Sequence, residues 1–139
     1  MNYWLMKTEP EEFSWDDLVK KGAKGEAWTG VRNFIARGHI KEQKKGDLVF
    51  IYHTGKEKQI VGVGEVVKEH YKDPTDEKKI FYATDVIAKY PLKTPVTLAT
   101  IKADARFKTM PLVKYARLSV QPVTATEWAQ ICKMGGVKG

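Results

Sequence analysis

Two apolar runs in the middle of the chain constrain its fold more than any other feature. Residues 48–52 are continuously apolar, as in a buried strand, and residues 60–67 form a second run after a hairpin-type loop. Gly62 and Gly64 interrupt the second run, which indicates a sharp bend or a close backbone approach. Such bends are common where a sheet curls into a barrel.

Further short strands surround these two runs. Residues 3–6, 80–88 and 117–120 are predicted strands, and Pro91 and Pro95 are expected to break the chain after the second of them. The strands do not alternate regularly with helices, which argues against a doubly wound sheet. The pattern therefore favours an α+β fold built on a small barrel.

Helix-start signals lie between and after the strands. Ser14 with Asp17, and Thr124 with Glu127, have the spacing of N-terminal capping boxes and predict helices over about 14–21 and 124–133. An apolar stripe at helical spacing predicts a helix over about 31–42; its members are Val31, Phe34 and Ile35. Thr97 is expected to cap a further short helix that reaches Asp104.

The chain has 139 residues, which is the size of one ordinary domain. We predict a single domain over residues 1–134 and a disordered tail over residues 135–139. No apolar stretch has the length of a membrane span, so no membrane partner is expected. Cys132 is the sole cysteine, which excludes an internal disulfide and a cysteine metal cluster. These features predict an intracellular protein, cytoplasmic or, in a eukaryote, nuclear.

Positive charge is concentrated in the second half of the chain. The net charge is +7; residues 1–70 carry 12 Lys+Arg against 11 Asp+Glu, or +1, and residues 71–139 carry 12 against 6, or +6. The densest segment, 89–117, supplies cations that could neutralise phosphates, although charge alone favours an ordinary solvated surface. The predicted phosphate contacts are Lys89, Lys93, Lys102, Arg106, Lys108, Lys114 and Arg117.

The sequence offers little support for catalysis or for a metal. The three histidines, His39, His53 and His70, show no familiar zinc-ligand spacing, and a lone loop histidine is seldom a general base. No glycine-rich phosphate loop follows a strand. We therefore expect a binding module that has no catalytic residue, no cofactor and no metal.

Aromatic residues suggest where a ligand would bind. Trp15 and Trp128 occupy amphipathic helix positions and are predicted to be core, whereas Trp4 and Trp28 lie at element ends, which suits the rim of a pocket. The string 28–33 places a ring, a glycine and the first turn of a helix together, so free backbone N–H groups are expected beside the ring. The alternative is that the glycine forms only a turn.

Four strings carry a family resemblance. They are residues 3–10 (YWLMKTEP), 28–33 (WTGVRN), 46–53 (GDLVFIYH), and 110–113 (MPLV) continuing through 117–123 (RLSVQPV). In this order and spacing the chain resembles the EVE domain of the PUA-like superfamily, to about Met134. The resemblance implies a PUA-like half-open mixed β-barrel flanked by short helices, and a relation to YTH and ASCH domains.

The resemblance also implies a function and a site. EVE domains are thought to hold a modified base in an aromatic pocket, so the expected partner is nucleic acid with a modified base, DNA rather than RNA, with any effector supplied by a separate protein. The base would leave the stack and enter the pocket. The implied pocket residues are Trp4, Lys7, Thr8, Glu9, Trp28, Gly30, Val31, Arg32, Asn33, Tyr52, His53, Leu118, Ser119, Val120 and Gln121. The family often has Ser at position 8 and an acid at position 29.

Two alternatives remain at this stage. Some ASCH-type relatives are catalytic, so Glu9 and Lys7, with His53 nearby, could act as acid and base on modified nucleosides. The other alternative is a small-molecule or protein-interaction module whose charge is incidental.

Overall fold

The computed structural model describes residues 1–138, which form one sheet of six strands with five short α-helices. The strands are β1 (Tyr3–Thr8), β2 (Glu26–Ala27), β3 (Leu48–His53), β4 (Gln59–Lys72), β5 (Tyr82–Thr97) and β6 (Val120–Val123). The helices are α1 (Trp15–Lys21), α2 (Phe34–Glu42), α3 (Leu98–Lys102), α4 (Pro111–Lys114) and α5 (Ala125–Met134). Two 3-10 turns lie at Gly22–Lys24 and Ala105–Phe107.

The sheet is mixed and open. Its order is β2-β5-β4-β3-β1-β6; β1 runs parallel to β3, and the other neighbouring strands are antiparallel. The α+β class and the mixed sheet with flanking helices are therefore confirmed. Because β1 lies between β3 and β6, residues from both ends of the chain meet at the end of β1.

Each face of the sheet carries its own apolar core. Side chains alternate along β1, so Leu5 enters one core while Trp4 and Met6 enter the other. The first core is covered by α3, α4 and α5, and includes Trp128. The second is covered by α1 and α2, and includes Trp28. The loops that follow β1 and β2 therefore meet beside the second core.

The bend of β4 depends on a glycine, as the sequence predicts. A Cβ at Gly62 would lie 2.6 Å from the indole of Trp15, so the absence of a side chain allows that ring to lie on the strand. The pairing of β4 with β5 shifts register near this point, between Ile60 and Gly62. The shift increases the local bend and twist of the sheet.

Helix caps were predicted more reliably than helix faces. Ser14 and Thr124 form complete capping boxes for α1 and α5, as predicted. The predicted start of the next helix at Val31 is wrong, because Asn33 caps α2 and the helix begins at Phe34. The predicted apolar stripe is wrong as well, since Phe34 and Ile35 are exposed.

Two strand boundaries differ from the prediction. β5 continues through Pro91 and Pro95 to Thr97. This is possible because β2 pairs with β5 only at Asp85 and Val86, so the rest of β5 is an edge where a missing N–H costs no ladder bond. The last strand lies at residues 120–123, three positions beyond the predicted 117–120.

Residues 135–138 contact the rest of the described chain, and the predicted disorder of the tail 135–139 stays a prediction. Gly135 accepts a hydrogen bond from the Thr94 backbone, Val137 donates one to Cys132 and packs against the first core, and the Lys138 carbonyl accepts one from Tyr90. Gly139 lies outside the described residues. Across residues 1–138, no helix combines the length and apolar character needed to cross a membrane.

Candidate functional site

A cavity of about 280 Å³ opens beside the end of β1 and the segment that follows β2. It is lined by Lys7, Thr8, Glu9, Glu12, Phe13, Glu26, Ala27, Trp28 and Thr29. Four predicted site residues meet here: Lys7, Thr8, Glu9 and Trp28. The volume lies near the lower end of the usual range for ligand pockets, about 300–1,000 Å³, which suits a small planar molecule.

Two aromatic rings form a corner in the cavity wall. Phe13 and Trp28 meet edge to face, with ring centroids 6.2 Å apart and an interplanar angle of 89°. The backbone N–H of Trp28 donates to Thr84 of β5, and the Thr8 hydroxyl donates to the Phe13 carbonyl at 2.7 Å. Thr8 therefore contributes to the cavity wall by holding the backbone of Phe13. Sequence reasoning missed Phe13, although it follows the first string by three residues.

The polar groups of the cavity include one cation and three carboxylates. The Lys7 ammonium donates to the Ala116 carbonyl at 2.8 Å and lies 5.6 Å from the Tyr52 ring centre, and burial lowers its pKa from the ordinary value. Glu9 accepts a bond from the Thr54 hydroxyl, and Glu26 pairs with Lys21 at 3.5 Å. The third carboxylate is Glu12. The cavity thus offers both a donor and acceptors to a ligand edge.

Within the string 28–33, Gly30 and Arg32 are organised around Asp73, while Trp28 and Thr29 line the cavity. The buried Asp73 carboxylate accepts bonds from the Gly30 N–H at 2.8 Å and from the Arg32 guanidinium at 3.0 Å. Asn33 uses its side-chain oxygen to cap Ile35 and Ala36. The Gly30 N–H and the Arg32 guanidinium thus have partners within the protein, and their role in reading a ligand stays a prediction. Val31 is buried in the second core.

Asp73 is held in its charged form by these contacts. Burial opposes ionisation, but bonds from Thr75, the Gly30 N–H and Arg32 outweigh it and lower the pKa of Asp73 to about 2. The carboxylate is thus a fixed anchor for the loop that carries Trp28.

Two other expected pocket residues have structural roles. Trp4 is 3% exposed, its indole N–H donates to Asp47 at 2.9 Å, and it is not among the residues that line the cavity. His53 is buried, and its Nε2 accepts the Trp15 N–H at 2.9 Å. Nδ1 therefore carries the proton and donates to Glu57 at 2.9 Å. With both nitrogens occupied, His53 has no free lone pair for general-base work.

The remaining predicted residues form the support of the cavity. Tyr52 is buried beneath Lys7, and Leu118 and Val120 belong to the same core as Trp28. The Ser119 carbonyl accepts the Lys7 N–H at 2.9 Å. Gln121 is fully buried and donates to the Leu118 carbonyl, while its own side-chain oxygen has no partner within residues 1–138.

A second depression adjoins the cavity across the Ala116 segment. This groove, of about 550 Å³, is lined by Asn33, Ile35, His39, Pro111, Tyr115, Ala116, Arg117, Leu118 and Pro122. Ile35 and Tyr115 are exposed there. Arg117 is the member of the predicted phosphate-contact set that lines it.

Two predicted phosphate contacts already have partners in the protein. Lys89 pairs with Glu65 at 3.0 Å, and Arg106 is held by Asp104 at 2.6 Å and by Gln130 at 2.7 Å. Neutralised cations contribute little to phosphate binding. The other five are surface residues: Lys93, Lys102, Lys108, Lys114 and Arg117. In the part of the chain that the structure describes, no group of three or more His, Cys, Asp or Glu side chains could hold a metal ion.

Comparisons with known proteins give a consistent result. A family model described as EVE domain matches residues 2–134. Thymocyte nuclear protein 1 of Danio rerio is 35% identical over 90% of this chain and 68% of its own length. The solution structure of Rpa0253 from Rhodopseudomonas palustris is 55% identical, with a TM-score of 0.92 over 98% of this chain and 94% of that one.

A third relative has been solved with its ligand. Human THYN1 in complex with DNA that contains 5-methylcytosine is 30% identical to this chain, with a TM-score of 0.90 and 100% coverage of both chains. The chain spans 65% to 71% of the length of the full vertebrate thymocyte nuclear proteins that it matches.

Proposed function

The chain belongs to the EVE domain family, and on that premise we propose that it is a binding module that holds a modified base of DNA, 5-methylcytosine, in the cavity beside Trp28. The human relative bound to DNA with 5-methylcytosine supports the ligand class, because it shares the fold over its whole length. The names of the vertebrate relatives support an intracellular, and in eukaryotes nuclear, location.

The observation that carries the proposal is the corner between Phe13 and Trp28, with Lys7 and carboxylates beside it. A flat base can stack on one ring of this corner, and stacking on a protein ring contributes about 1–3 kcal/mol per base. This gain offsets the cost of extruding the base from the duplex.

The polar groups suit the edge of cytosine. Its exocyclic amino group donates hydrogen bonds, which carboxylates accept, and its ring nitrogen and carbonyl accept. Glu9 or Glu26 would accept from the amino group, while the Lys7 ammonium would donate to the ring nitrogen or the carbonyl oxygen of the same edge. This arrangement would reject thymine, whose edge has a carbonyl where cytosine has the amino group.

The methyl group itself contributes modestly to affinity. Burying one carbon is worth about 0.8 kcal/mol, so selectivity also requires that the unmodified base leave space unfilled or polar groups unpaired. We therefore expect a moderate preference for the methylated base.

Phosphates must bind outside the cavity, because three carboxylates repel them. The groove beyond Ala116 is the adjacent surface that carries Arg117, with Lys114 nearby in sequence. We propose that Lys93, Lys102, Lys108, Lys114 and Arg117 supply phosphate contacts. Lys89 and Arg106 are left out of this set because Glu65 and Asp104 neutralise them.

We propose binding without turnover. The one observation that favours an enzyme is the lowered pKa of Lys7 beside carboxylates, since shifted pKa values are common at active sites. Turnover can be tested by incubating the protein with modified nucleosides and modified duplexes, followed by mass spectrometry. Quantitative recovery of the modified base supports binding alone, and a time-dependent new product would establish catalysis.

Direct binding tests the proposal. Fluorescence anisotropy would compare duplexes that differ at a single base: cytosine, 5-methylcytosine, 5-hydroxymethylcytosine, adenine or N6-methyladenine, with matching RNA. We expect the tightest binding for the DNA duplex with 5-methylcytosine. Equal affinity for all duplexes would contradict a base-reading function.

A further inference from the structure

The face of α2 that points toward β5 is basic and aromatic. Phe34, Arg37 and Lys41 follow each other at steps of three and four residues, which places them on one side of the helix. Ala36 and Ile40 lie on another side and are buried. We call the three residues the α2 outer face.

Both cations of the α2 outer face lie against the same ring. The Arg37 guanidinium carbon is 5.4 Å, and the Lys41 ammonium 5.1 Å, from the centre of the Tyr82 ring at the start of β5. His70 meets that ring edge-on at 5.4 Å. A cation over an aromatic face is held by the ring quadrupole and keeps its outward side free.

The apolar member of the face is exposed as well. Phe34 is 65% exposed, although its ring lies 5.2 Å from Phe81 and 6.0 Å from the Arg37 guanidinium. An exposed aromatic beside two cations is the combination that nucleic-acid surfaces use, since the ring contacts bases or sugars and the cations contact phosphates.

The charges of this face are not neutralised by the protein. Within residues 1–138, neither Arg37 nor Lys41 has a carboxylate oxygen within salt-bridge distance, and the buried Arg37 Nε has no acceptor. Lys89 and Arg106 differ, because each is paired with an acid. Two like charges that share one ring repel each other, and an external anion between them would relieve that repulsion.

The position of α2 connects this face to the proposed site. The opposite edge of the same helix carries Ile35 and His39, which line the groove next to the cavity. A strand that leaves the cavity across the helix therefore reaches the α2 outer face.

We propose that the α2 outer face binds the phosphate backbone of the DNA that flanks the flipped base, with Arg37 and Lys41 as the phosphate contacts and Phe34 as the apolar contact. This inference rests on the proposed function for the identity of the polymer. Arg37 and Lys41 lie about 6 Å apart along the helix axis, close enough to share a phosphate or to hold two neighbouring ones.

The test compares the double variant R37Q/K41Q with the matched control K89Q/R106Q, which removes the same charge from cations that are already paired. Affinity for a methylated duplex and for the identical unmethylated duplex would be measured from roughly 50 to 200 mM salt. Log affinity falls as log salt rises, and each lost phosphate contact reduces the magnitude of this negative slope by about 0.9. We expect R37Q/K41Q to reduce the magnitude of the slope by about 2 and to weaken binding to both duplexes by the same factor. The control should retain the wild-type slope.

Lys41 is exposed, so K41Q alone should fold normally and reduce the magnitude of the salt slope by about 1. If the wild type shows no preference for the methylated duplex, the base-reading function fails, but the slope on the unmethylated duplex still tests this surface. A wild-type slope in R37Q/K41Q, an equal loss in the control, or a wild type without salt-dependent DNA binding would each overturn the α2 outer face as a phosphate site.

Discussion

The ammonium group of Lys7 donates a hydrogen bond of 2.8 Å to the carbonyl oxygen of Ala116, and so joins the end of β1 to a segment 109 residues later. This single bond forms the partition between the cavity and the groove, because Lys7 lines the first and Ala116 lines the second. Lys7 therefore contributes to the shape of the site, and in the proposed complex its charge would also contact the ligand edge.

Lys7→Met should weaken binding to the methylated duplex while keeping side-chain bulk. A hydrogen bond to a charged group is worth about 1.5–3 kcal/mol, so we expect a loss of about 10- to 100-fold. Because burial lowers the pKa of Lys7, wild-type affinity should start to fall at a pH below the ordinary lysine value of 10.5. Anisotropy titrations across alkaline pH should show the fall starting at a lower pH in the wild type than in the variant, because both proteins keep the phosphate-contact lysines; an identical profile in both proteins would rule out this role.

Trp28→Phe should reduce affinity for the modified base. Alanine is a poor choice here, because Trp28 is 7% exposed and truncation of a buried tryptophan costs about 3–5 kcal/mol of stability. Phenylalanine retains a ring but loses part of the stacking area, so we expect about 3- to 10-fold weaker binding. Trp128→Phe is the control, since that indole stacks on Phe50 at 3.8 Å in the other core. Equal losses in the two variants would assign the effect to general destabilisation.

Thr8→Val should disturb the cavity through Phe13. The substitution keeps the shape of the side chain but removes the hydroxyl that donates to the Phe13 carbonyl at 2.7 Å. A net hydrogen bond of this kind contributes about 1 kcal/mol. Thermal unfolding should show the loss in Thr8→Val and a near-normal melting temperature in Thr8→Ser. A destabilised serine variant would show that the methyl group, and not the hydroxyl, is the important part.

Asp73 should make stability depend on pH in the acid range. Its folded pKa, about 2, is lower than the ordinary value of 3.8, so its stabilising contribution is complete above pH 3.8 and is lost as the pH falls toward 2. Melting temperatures between pH 5 and pH 2 should therefore fall more steeply in the wild type than in Asp73→Asn. We expect the variant to be less stable by about 1–3 kcal/mol at neutral pH, because Gly30 and Arg32 lose their charged acceptor. Parallel curves for the two proteins would contradict the assignment.

Alanine at two glycines should have opposite effects on stability. At Gly62 a new Cβ would collide with the Trp15 ring at 2.6 Å, and overpacking of this kind costs about 1–3 kcal/mol. At Gly38, inside α2, a new Cβ has open space, and alanine is favoured over glycine in a helix by about 0.5–1 kcal/mol. Urea unfolding of both variants checks the pair; a stabilised Gly62→Ala would show that the Trp15 ring does not pack on Gly62 as described.

Local signals in the sequence predicted much of this fold. The hydroxyl caps Ser14 and Thr124 were identified because a capping box depends on residues three positions apart. The family and the PUA-like class followed from four ordered strings, and the family match over residues 2–134 confirms the former. The bend at Gly62 was also visible, since a glycine inside an apolar run has few other roles.

Contacts between distant residues could not be predicted in the same way. Trp4 is an aromatic residue at the end of a predicted strand, which suggested a pocket rim. Its hydrogen-bond partner, Asp47, lies 43 positions away in the sequence. Arg32 resembled a ligand-binding donor until Asp73, 41 positions away, appeared as its partner. Phe34 and Ile35 suggested a buried stripe, but Asn33 shifts the helix start and leaves both exposed. For Trp4 and Arg32, a distant partner determines what the side chain contacts. For Phe34 and Ile35, the position of the helix start determines which side chains are buried.

The insertion of β1 between β3 and β6 sets the order in which the protein can be completed during translation. Tyr3 pairs with Leu48 on one side and with Val123 on the other, so β1 gains its second neighbour only after the chain has been made as far as β6. Contacts of such long sequence separation slow folding, because the intervening chain must be ordered first. The bond between Lys7 and Ala116 therefore forms only after synthesis has passed Ala116, and a nascent chain that stops before it lacks the partition between cavity and groove.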